Sequence, residues 1–446
     1  AGQRVFLIGA CGTGMTALAL LLREAGVAVS GCDVRADPPT GPQLRAAGVD
    51  LRMGYQAESL DSQADLVVVG NAVRSDNPVV QAAEAAGLPM THMPAMLNAL
   101  IGDRPRIVIA GTHGKSTTST VVAWLLDQAG LDPGWFIGAT PTFGASGRLG
   151  TGPFVLEGDE YNASFFDREA KFFHYHPTIL GLTNVEFDHA DLYPDLAAIE
   201  AAFERLVRQP SLGTVVLAPE AIRFAAAVPA AVQSIRIGDS TAFSVIGSAP
   251  DGVRFRLGAR DLRFPLPGRH GATDAAIAWL CATAAGADPD VAADALARFP
   301  GLRLRQERLD SQRWVLIRDF GHHPTEIANT LAGLREAWPG RHLVAVFEPR
   351  SYTARTDRMR DEWAGAFATA DEVLLAPVYR PDALSEPALD TRRLAAEIDV
   401  PARACADWTE LEQTIDAIEA GAVIVLFSNG IMDGLPERLV QKDQAG

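Results

Sequence analysis

The sequence is poor in cysteine and has no long hydrophobic run. Its four cysteines, Cys11, Cys32, Cys281 and Cys405, lie far apart and form no C-x-x-C pair, a pattern that fits a reduced cytosol and predicts no structural zinc. No stretch reaches the roughly 18 apolar residues of a membrane span. Glycines interrupt the apolar start at residues 4–9, which favours a strand and loop over a signal peptide. We therefore expect a cytoplasmic protein.

Positive charge is also scarce. The chain has 39 Lys and Arg residues against 55 Asp and Glu residues, which gives a formal net charge of −16. That balance argues against binding to nucleic acid or to anionic membranes, and an anionic substrate would need locally placed cations and helix N-termini. The length of 446 residues suggests about three domains, and the sequence has no internal repeats or low-complexity tracts.

One short glycine-containing segment is the most informative part of the chain. It reads Gly111, Thr112, His113, Gly114, Lys115, Ser116, Thr117. The segment follows an apolar β-type run at 106–110 and opens a helical pattern at 118–128. Glycines let backbone N–H groups approach phosphate oxygens, and the helix N-terminus adds partial positive charge. Lys115 would reach the β- and γ-phosphates and the Ser116 hydroxyl would ligate Mg²⁺, so the segment (the ATP loop) predicts a site for the phosphates of a nucleotide.

Another glycine loop, the first glycine loop in chain order, lies near the start of the chain. Its residues are Gly9, Gly12, Thr13, Gly14 and Met15. Cys11 stands where a dinucleotide-binding fingerprint needs glycine, but the loop still directs backbone amides at a phosphate. Asp33 ends the next predicted strand and would accept hydrogen bonds from a ribose or a uridine. Asn71 and Ser75 belong to a weaker second loop, in which Asp76 would alternatively cap the following helix.

Three carboxylates, those of Glu157, Asp159 and Glu160, follow an apolar strand. Such a cluster is costly unless cations lie among its members. Hard oxygen ligands suit Mg²⁺, which shares its ligands with ATP phosphates. The cluster therefore predicts a magnesium site beside the ATP loop.

Together these motifs resemble those of the Mur ligases, the ATP-dependent amide-forming enzymes of peptidoglycan assembly. The likeness runs along nearly the whole chain. It implies an α/β fold of three domains, namely a Rossmann-like UDP-sugar-binding domain at 1–103, a P-loop ATPase-like central domain at 104–297 and a Rossmann-like C-terminal domain for the amine substrate at 298–446. It also implies ATP and Mg²⁺ as cofactors, and a monomer or weak homodimer.

The resemblance assigns catalytic roles to four side chains. Glu157 matches the metal-ligating glutamate of the family, and Lys115 matches the lysine of its ATP loop. His189, which follows a buried-type strand and sits among carboxylates, matches the histidine that ligates a second Mg²⁺. Arg305 matches the arginine expected to reach the γ-phosphate of ATP.

Two further motifs of the family concern the nucleoside. Gly271 and Asp274 replace the two asparagines of its adenine-pocket motif, and an ionised aspartate accepts hydrogen bonds but cannot donate them. Asp274 is still our candidate for the adenine contact, and Asp319 matches the residue that would hold the ATP ribose. His322 and His323 would either line the cleft or fix the turn before the next helix.

Features after the ATP loop resemble the members of the family that add a tripeptide. The segment 159–177 and the sequence around Arg350 and Asn429 carry this likeness, and both residues are candidates for binding the carboxylates of the peptide, the arginine through a bidentate pair. The implied reaction joins UDP-N-acetylmuramate to L-Ala-γ-D-Glu-meso-diaminopimelate through an acyl phosphate, as in peptidoglycan recycling.

Three alternatives remain open. One is a ligase with the same chemistry that adds L-alanine. Another is a nicotinamide-dependent oxidoreductase that binds its cofactor at the first glycine loop. Cys11 in that loop and the presence of a separate ATP loop at residues 111–117 argue against this alternative. The third is a weakened nucleotide-binding or regulatory protein, which the replacements at Gly271 and Asp274 suggest.

We predict that His189→Ala steeply raises the Mg²⁺ concentration required for activity, because loss of a ligand weakens the second cation site. A Mg²⁺ titration of ATP turnover measures this effect. An unaltered titration curve would remove His189 from the metal site.

Overall fold

The structure is a computed structural model that describes residues 2–37, 40–187, 192–384 and 386–445. Two compact units make up the chain. The first unit contains Ala1–Phe243 and Asp274–Leu296, and the second contains Ser244–Thr273 and Ala297–Gly446. Parallel sheets with intervening helices dominate both units, which is the predicted α/β class.

The first sheet contains five parallel strands in the order β3-β2-β1-β4-β5. The strands β1 to β5 are Arg4–Ile8, Ala28–Asp33, Asp50–Met53, Leu66–Val69 and Met90–His92. The helices α1 to α4 are Thr13–Glu24, Thr40–Ala46, Pro78–Ala85 and Met93–Ile101. The strand order reverses between β1 and β4, and open α/β sheets bind ligands beyond the strand ends at such a point. Gly9 and Asn71 lie just beyond these two strands.

The second sheet contains seven strands in the order β12-β11-β10-β6-β9-β7-β8, and only β8 runs antiparallel to its neighbour. The strands β6 to β12 are Arg106–Ala110, Gly134–Phe136, Gly147–Arg148, Phe154–Gly158, Ile179–Leu182, Thr214–Leu217 and Gln233–Arg236. The helices α5 and α6 are Lys115–Gln128 and Leu196–Leu206. Ala110 at the end of β6 pairs with Gly158 of β9 and Leu182 of β10, so the segments that follow these strands meet at one sheet edge.

The remaining sheets are a three-stranded one, β13-β14-β15, and a six-stranded one, β16-β17-β21-β18-β19-β20, in which β16 pairs antiparallel to β17. The strands β13 to β21 are Phe243–Ala249, Gly252–Leu257, Arg260–Phe264, Glu307–Arg308, Val315–Asp319, Leu343–Phe347, Glu372–Leu375, Ala402–Ala404 and Val423–Phe427. The helices α7 to α13 are Arg269–Ala284, Pro289–Ala297, Pro324–Ala337, Arg360–Ala366, Thr391–Glu397, Trp408–Asp416 and Leu435–Ala445. Of the described helices, none is both long and apolar enough to cross a membrane.

Both faces of the six-stranded sheet are covered by apolar side chains. On one face, Trp363 of α10 is fully buried and its ring centroid lies 4.6 Å from that of Phe347 in β18. On the other face, Trp314 and Leu411 belong to a second buried cluster. Strands buried on both faces are typical of parallel sheets. The packing holds the carboxyl ends of β17, β21 and β18 side by side, where polar residues follow each strand.

Gly333 of α9 and Gly268 approach each other closely within the second unit. A Cβ on Gly333 would lie 2.6 Å from the Cα of Gly268, well inside van der Waals contact. Gly268 also has a φ of +104°, which side chains other than glycine rarely adopt. The two glycines therefore let the turn before α7 rest directly on α9.

We predict that Gly333→Ala lowers the free energy of unfolding by about 1–3 kcal/mol, because the added methyl group meets backbone that cannot move aside. This overlap should outweigh the gain of about 1 kcal/mol that alanine normally brings to a helix. Gly365→Ala in α10 is the matched control, since a Cβ there meets open space and should stabilise the protein. Urea unfolding of both variants measures the effects, and equal shifts would contradict the prediction.

Candidate active site

The predicted ATP loop joins β6 to α5 and contains two glycines at positions where a side chain would be strained. Gly114 is the N-cap of α5 with a φ of 81°, and Gly111 has a φ of 133°. A Cβ at Gly111 would overlap Oγ1 of Thr183, and a Cβ at Gly114 would overlap the carboxylate of Asp274. The loop thus combines left-handed backbone with close approach of its neighbours.

Side chains and backbone after β10 hold the ATP loop in place. The N–H of His113 donates to Oδ1 of Asn184 at 2.8 Å, and the N–H of Thr112 donates to the Asn184 carbonyl at 2.8 Å. The Thr183 hydroxyl donates to the His113 carbonyl at 2.6 Å, and the Glu186 N–H donates to the Thr112 hydroxyl at 2.9 Å. Thr183 and Asn184 were not among the predicted site residues, although they shortly precede the predicted ligand His189 in the chain.

Lys115 is bound within its own loop. Its Nζ donates to the carbonyls of Gly111 at 2.6 Å and Thr112 at 3.0 Å, and it lies 3.1 and 3.0 Å from the two carboxylate oxygens of Glu160. Burial alone would lower the pKa of Lys115, but the neighbouring carboxylates, Glu160 foremost, raise it above the usual range. The ammonium group therefore stays charged in a buried position and is poised for anionic phosphates.

Ser116 and Glu157, two of the three predicted metal ligands, are in contact. The Ser116 hydroxyl donates to Oε1 of Glu157 at 3.0 Å, and the Gly138 N–H donates to Oε2 at 2.8 Å. Burial raises the pKa of Glu157, while Lys115 opposes that shift. A hydroxyl and a carboxylate at one point fit Mg²⁺, which takes oxygen ligands and retains waters. The third predicted ligand, His189, lies outside the described residues.

Asp159 is paired with a lysine that sequence analysis missed. Its Oδ2 accepts from Lys171 Nζ at 2.6 Å and its Oδ1 accepts from the Tyr161 N–H at 2.9 Å. Burial would raise the pKa of Asp159, but Lys171 holds it below the usual range. Lys171 is only 8% exposed, and its sole signal in the sequence is a lysine beside two phenylalanines. The carboxylate of Asp159 is therefore already paired with a cation of the protein, the ammonium group of Lys171.

The first glycine loop ends in a helix N-terminus suited to an anion. Gly12 is the N-cap of α1 and provides no side-chain cap. The N–H groups of Thr13, Gly14 and Met15 occupy the first turn, where the backbone has no acceptor within the helix. Such a terminus is a ready site for a phosphate.

Asp33 fixes the first glycine loop from the end of β2. Its Oδ2 accepts from the Cys11 N–H at 2.9 Å and its Oδ1 from the Arg35 N–H at 3.3 Å. The side chain is buried, with 9% of the residue exposed. Its contacts therefore shape the loop, and its contact with a ribose stays a prediction.

The second substrate-side loop, after β4, is exposed at both predicted positions, Asn71 and Ser75. The helix that follows it is capped by Asn77 rather than by Asp76. Oδ1 of Asn77 accepts from the Val79 N–H at 2.9 Å, the usual N-cap geometry. The one-residue difference arises because Pro78 occupies the first helical position.

Asp274 lies against the ATP loop. It is 8% exposed, and its carboxylate fills the space where Gly114 would carry a side chain. An anion beside the N-terminus of α5 interacts favourably with the helix dipole. The contact of Asp274 with adenine stays a prediction.

In the second unit, Arg305 is presented by a strained turn. Its neighbours Leu304 and Gln306 have φ values of 61° and 47°, in the left-handed region that costs about 1–2 kcal/mol per residue. The guanidinium lies 3.3 Å from Oε1 of Glu326 and 4.8 Å from the ring centroid of Phe320. The side chain is therefore held in one direction by an ion pair and a ring.

Gln306 anchors this turn on His270, a partly buried histidine. Its Nε2 lies 2.9 Å from Nε2 of His270 and 3.3 Å from the Pro267 carbonyl. Burial lowers the pKa of His270 to about 4, so the ring is neutral at pH 7. Its Nε2 therefore accepts a hydrogen bond from the side-chain amide of Gln306. Neither residue was predicted to belong to the site.

Asp319 closes the turn from the end of β17. Its Oδ2 accepts from the Gln306 N–H at 3.0 Å and its Oδ1 from the Gly321 N–H at 2.8 Å. Burial raises the pKa of Asp319 to about 6, although Arg305 opposes the shift. His323 caps α9 through Nδ1, which lies 3.3 Å from the Thr325 N–H. The His322 N–H donates to Glu326 at 3.1 Å, so both histidines contribute to the turn before the helix.

Arg350 lies at the carboxyl end of β18 between a ring and a glycine. Its guanidinium carbon is 3.7 Å from the ring centroid of Tyr379, and a Cβ at Gly430 would overlap the guanidinium. Nη1 lies 3.4 Å from Oε1 of Glu348, which is 2% exposed. The Ser428 hydroxyl donates to the other oxygen of Glu348. A planar donor fixed in this way suits a carboxylate.

Asn429 follows β21, the strand next to β18. Its Oδ1 is buried and makes no hydrogen bond with the residues that the structure describes. A buried acceptor of this kind is rare without a partner and is consistent with a ligand contact. The two predicted peptide-binding residues therefore lie on adjacent strand ends.

Three models of one protein family match the chain. Residues 4–104 match "Mur ligase family, catalytic domain", residues 109–282 match "Mur ligase middle domain" and residues 304–430 match "Mur ligase, glutamate ligase domain".

Two relatives match the chain along nearly its whole length. The UDP-N-acetylmuramate–L-alanyl-γ-D-glutamyl-meso-2,6-diaminoheptandioate ligase of Escherichia coli strain K12 is 35% identical and aligns with 98% of each chain. A UDP-N-acetylmuramate–L-alanine ligase of Burkholderia multivorans is also 35% identical, over 99% of this chain and 98% of its own. Overall identity thus does not separate the two kinds of relative.

Two solved structures extend the comparison. A murein peptide ligase from Psychrobacter arcticus 273-4 is 31% identical, with a TM-score of 0.72 and coverage of 99% of this chain and 98% of its own. A UDP-N-acetylmuramate–alanine ligase from Thermotoga maritima has a TM-score of 0.81 over 99% of both chains, but its identity of 23% supports the fold alone.

We predict that Lys115→Ala abolishes ATP turnover and leaves UDP-sugar binding nearly intact, because it removes the cation of the ATP loop and touches no residue of the first glycine loop. Phosphate release and calorimetric titration measure the two properties. Lys442→Ala is the control, since this exposed lysine of α13 pairs with Glu412 and Asp416 of α12, far along the chain from the ATP loop. Unchanged turnover in the Lys115 variant would reject the ATP-loop assignment.

Proposed function

The chain belongs to the Mur ligase family, and on that premise we propose that it joins UDP-N-acetylmuramate to the tripeptide L-Ala-γ-D-Glu-meso-diaminopimelate. The enzyme is an ATP-dependent amide ligase. The observation that carries the proposal is the convergence of Lys115, Ser116 and Glu157 at one sheet edge, because this set suits a nucleotide triphosphate and its cation. The name of the Escherichia coli relative supports the choice of peptide.

The proposed reaction proceeds through an acyl phosphate. The γ-phosphoryl group of ATP passes to the lactyl carboxylate of the muramate, and ADP leaves. The neutral α-amine of the peptide then attacks the carbonyl carbon, and phosphate leaves the tetrahedral intermediate. The first step brings two anions together, so its main requirement is positive charge fixed in a site that excludes water.

The residues of the ATP loop would supply that charge. Lys115 would exchange its contact with Glu160 for the β- and γ-phosphates, and the N–H groups at the start of α5 would bind their oxygens. Ser116 and Glu157 would hold Mg²⁺, which screens the phosphate charge when bound. Arg305 is proposed as a further cation for the γ-phosphate and Asp319 as the ribose contact. His189 remains the proposed ligand of a second Mg²⁺.

The two organic substrates would use the other strand ends. The N–H groups at the start of α1 are proposed to bind the diphosphate of UDP-N-acetylmuramate, with Asp33, Asn71 and Ser75 around the rest of the nucleotide sugar. Arg350 is proposed to bind a carboxylate of the tripeptide in a bidentate pair, and Asn429 to orient its backbone. The proposed substrates, ATP and a UDP-sugar, indicate that the enzyme acts in the cytoplasm. We propose that it is a monomer or a weak homodimer.

A second candidate function is the addition of L-alanine to the same UDP-sugar. The 35% identity to the Burkholderia multivorans relative favours this alternative as strongly as the other relative favours the tripeptide. Both reactions share every step up to the acyl phosphate, so only the amine distinguishes them.

We predict ATP-dependent phosphate release with UDP-N-acetylmuramate, Mg²⁺ and the tripeptide, and at most a trace with L-alanine. Mass spectrometry of the product confirms the amide, and Lys115→Ala protein serves as the blank. Release with L-alanine alone would move the enzyme to the second candidate function. Release with neither amine would leave the replacements at Gly271 and Asp274 as the explanation and would reject both ligase functions.

A further inference from the structure

Two histidines and an aspartate of the first unit converge outside the proposed ATP site. His92 ends β5, His174 lies in the 3₁₀ turn Lys171–Tyr175, and Asp167 lies in the segment between β9 and that turn. Nε2 of His92 and Nε2 of His174 are 3.3 and 3.4 Å from the same oxygen, Oδ2 of Asp167. The two imidazole centroids are 4.7 Å apart. The ligand-type atoms of all three residues lie within 4.8 Å of one another.

These separations are those of ligands around one cation. An N–H···O hydrogen bond is most often about 2.9–3.0 Å long, so both contacts to Asp167 are stretched. In a tetrahedral zinc site with bonds of about 2.0–2.1 Å, neighbouring ligand atoms stand about 3.3 Å apart. Nε2 of His174 is buried and makes no hydrogen bond with the described residues. Buried polar atoms usually have a partner, so hydrogen bonding within the cluster does not account for this nitrogen.

We propose that His92, Asp167 and His174 form a binding site for a divalent cation of the Zn²⁺ type, distinct from the Mg²⁺ site. Two imidazoles and one carboxylate are ligands that Zn²⁺ accepts, whereas Mg²⁺ prefers oxygen. Three protein ligands leave a fourth position for water. The cysteine pattern predicted no structural zinc, and this site needs no cysteine.

The tautomer of His92 limits how tightly the cation binds. Nδ1 of His92 accepts from the Ala95 N–H at 3.3 Å and so caps α4, which leaves the proton on Nε2, towards Asp167. A cation that takes Nε2 displaces this proton to Nδ1 and ends the cap. Metal-bound histidines usually donate the N–H of their other ring nitrogen to an acceptor. In His92 that nitrogen is Nδ1, and it faces the Ala95 N–H, which is itself a donor. Binding therefore weakens the first turn of α4.

A bound cation would link the first sheet to the segment that carries Asp159 and Lys171. His92 comes from the first sheet, whereas Asp167 and His174 flank Lys171 in the chain. The same region is already joined by Asn98, whose side chain donates to the His174 carbonyl. The cation would add a connection through three side chains. Because it binds the native state and not the unfolded state, it would stabilise the folded protein.

The test uses untagged, chelator-treated full-length protein in excess Mg²⁺. Calorimetric titration with Zn²⁺ should give one equivalent bound, and Co²⁺ should give the visible absorption of a cation with nitrogen ligands. His92→Gln, Asp167→Asn and His174→Gln should each weaken Zn²⁺ binding at least tenfold. Zn²⁺ should also raise the Tm of the unmodified protein and leave that of Asp167→Asn unchanged.

Glu157→Gln is the matched control, because it removes a carboxylate of the proposed Mg²⁺ site and none of this cluster. It should retain Zn²⁺ binding. Asp167→Asn keeps the size of a side chain in an irregular segment, so it tests the site even where a histidine variant fails to fold. No Zn²⁺ binding to the unmodified protein, or binding lost with Glu157→Gln and kept with Asp167→Asn, would overturn the proposal.

Discussion

The parallel pairing of β6 with β9 on one side and β10 on the other positions the rest of the proposed ATP site. Parallel strands in register end at the same sheet edge, so the loop after β6 meets the carboxylates after β9 and the Thr183–Asn184 turn after β10. The strands themselves are almost wholly buried and apolar, which fixes their positions through packing. The chemistry then depends on short polar segments that this rigid edge holds a few ångströms apart.

Charge around this edge is balanced locally, although the chain as a whole is strongly acidic. Lys115 lies between the carboxylates of Glu160 and its own loop carbonyls, and Lys171 neutralises Asp159. A buried charge without a partner is strongly destabilising, so each lysine requires its carboxylate and each carboxylate its lysine. Arg305 with Glu326 and Arg350 with Glu348 repeat the arrangement in the second unit. Every cation proposed for phosphate or carboxylate binding is thus already oriented by an acid.

The α/β class and the proximity of the ATP loop to Glu157 could be predicted from the sequence, whereas the binding roles of these residues stay predictions. The strand Arg106–Ala110 has the predicted bounds, as expected for a short apolar run that ends at a glycine loop. The helix after the ATP loop begins at Lys115, three residues before the predicted start. Hydroxyl-bearing and β-branched residues are poor helix formers, but Thr117 to Thr120 are buried, and packing outweighs their propensity. The pairing of Lys171 with Asp159 and the packing of Asp274 on Gly114 join distant segments, which no local pattern could reveal.

The contact between Lys115 and Glu160 also sets a threshold on what the ATP loop can bind. Any anion that enters must replace a carboxylate that is covalently tethered to the protein and therefore present at high effective concentration. A singly charged ion such as nitrate carries no more charge than the Glu160 carboxylate and lacks its tether. A polyphosphate that brings its own divalent cation offers more contacts than Glu160 alone. The loop is in this way insulated from the small inorganic anions of its surroundings, and selectivity for the nucleotide begins before the base is recognised.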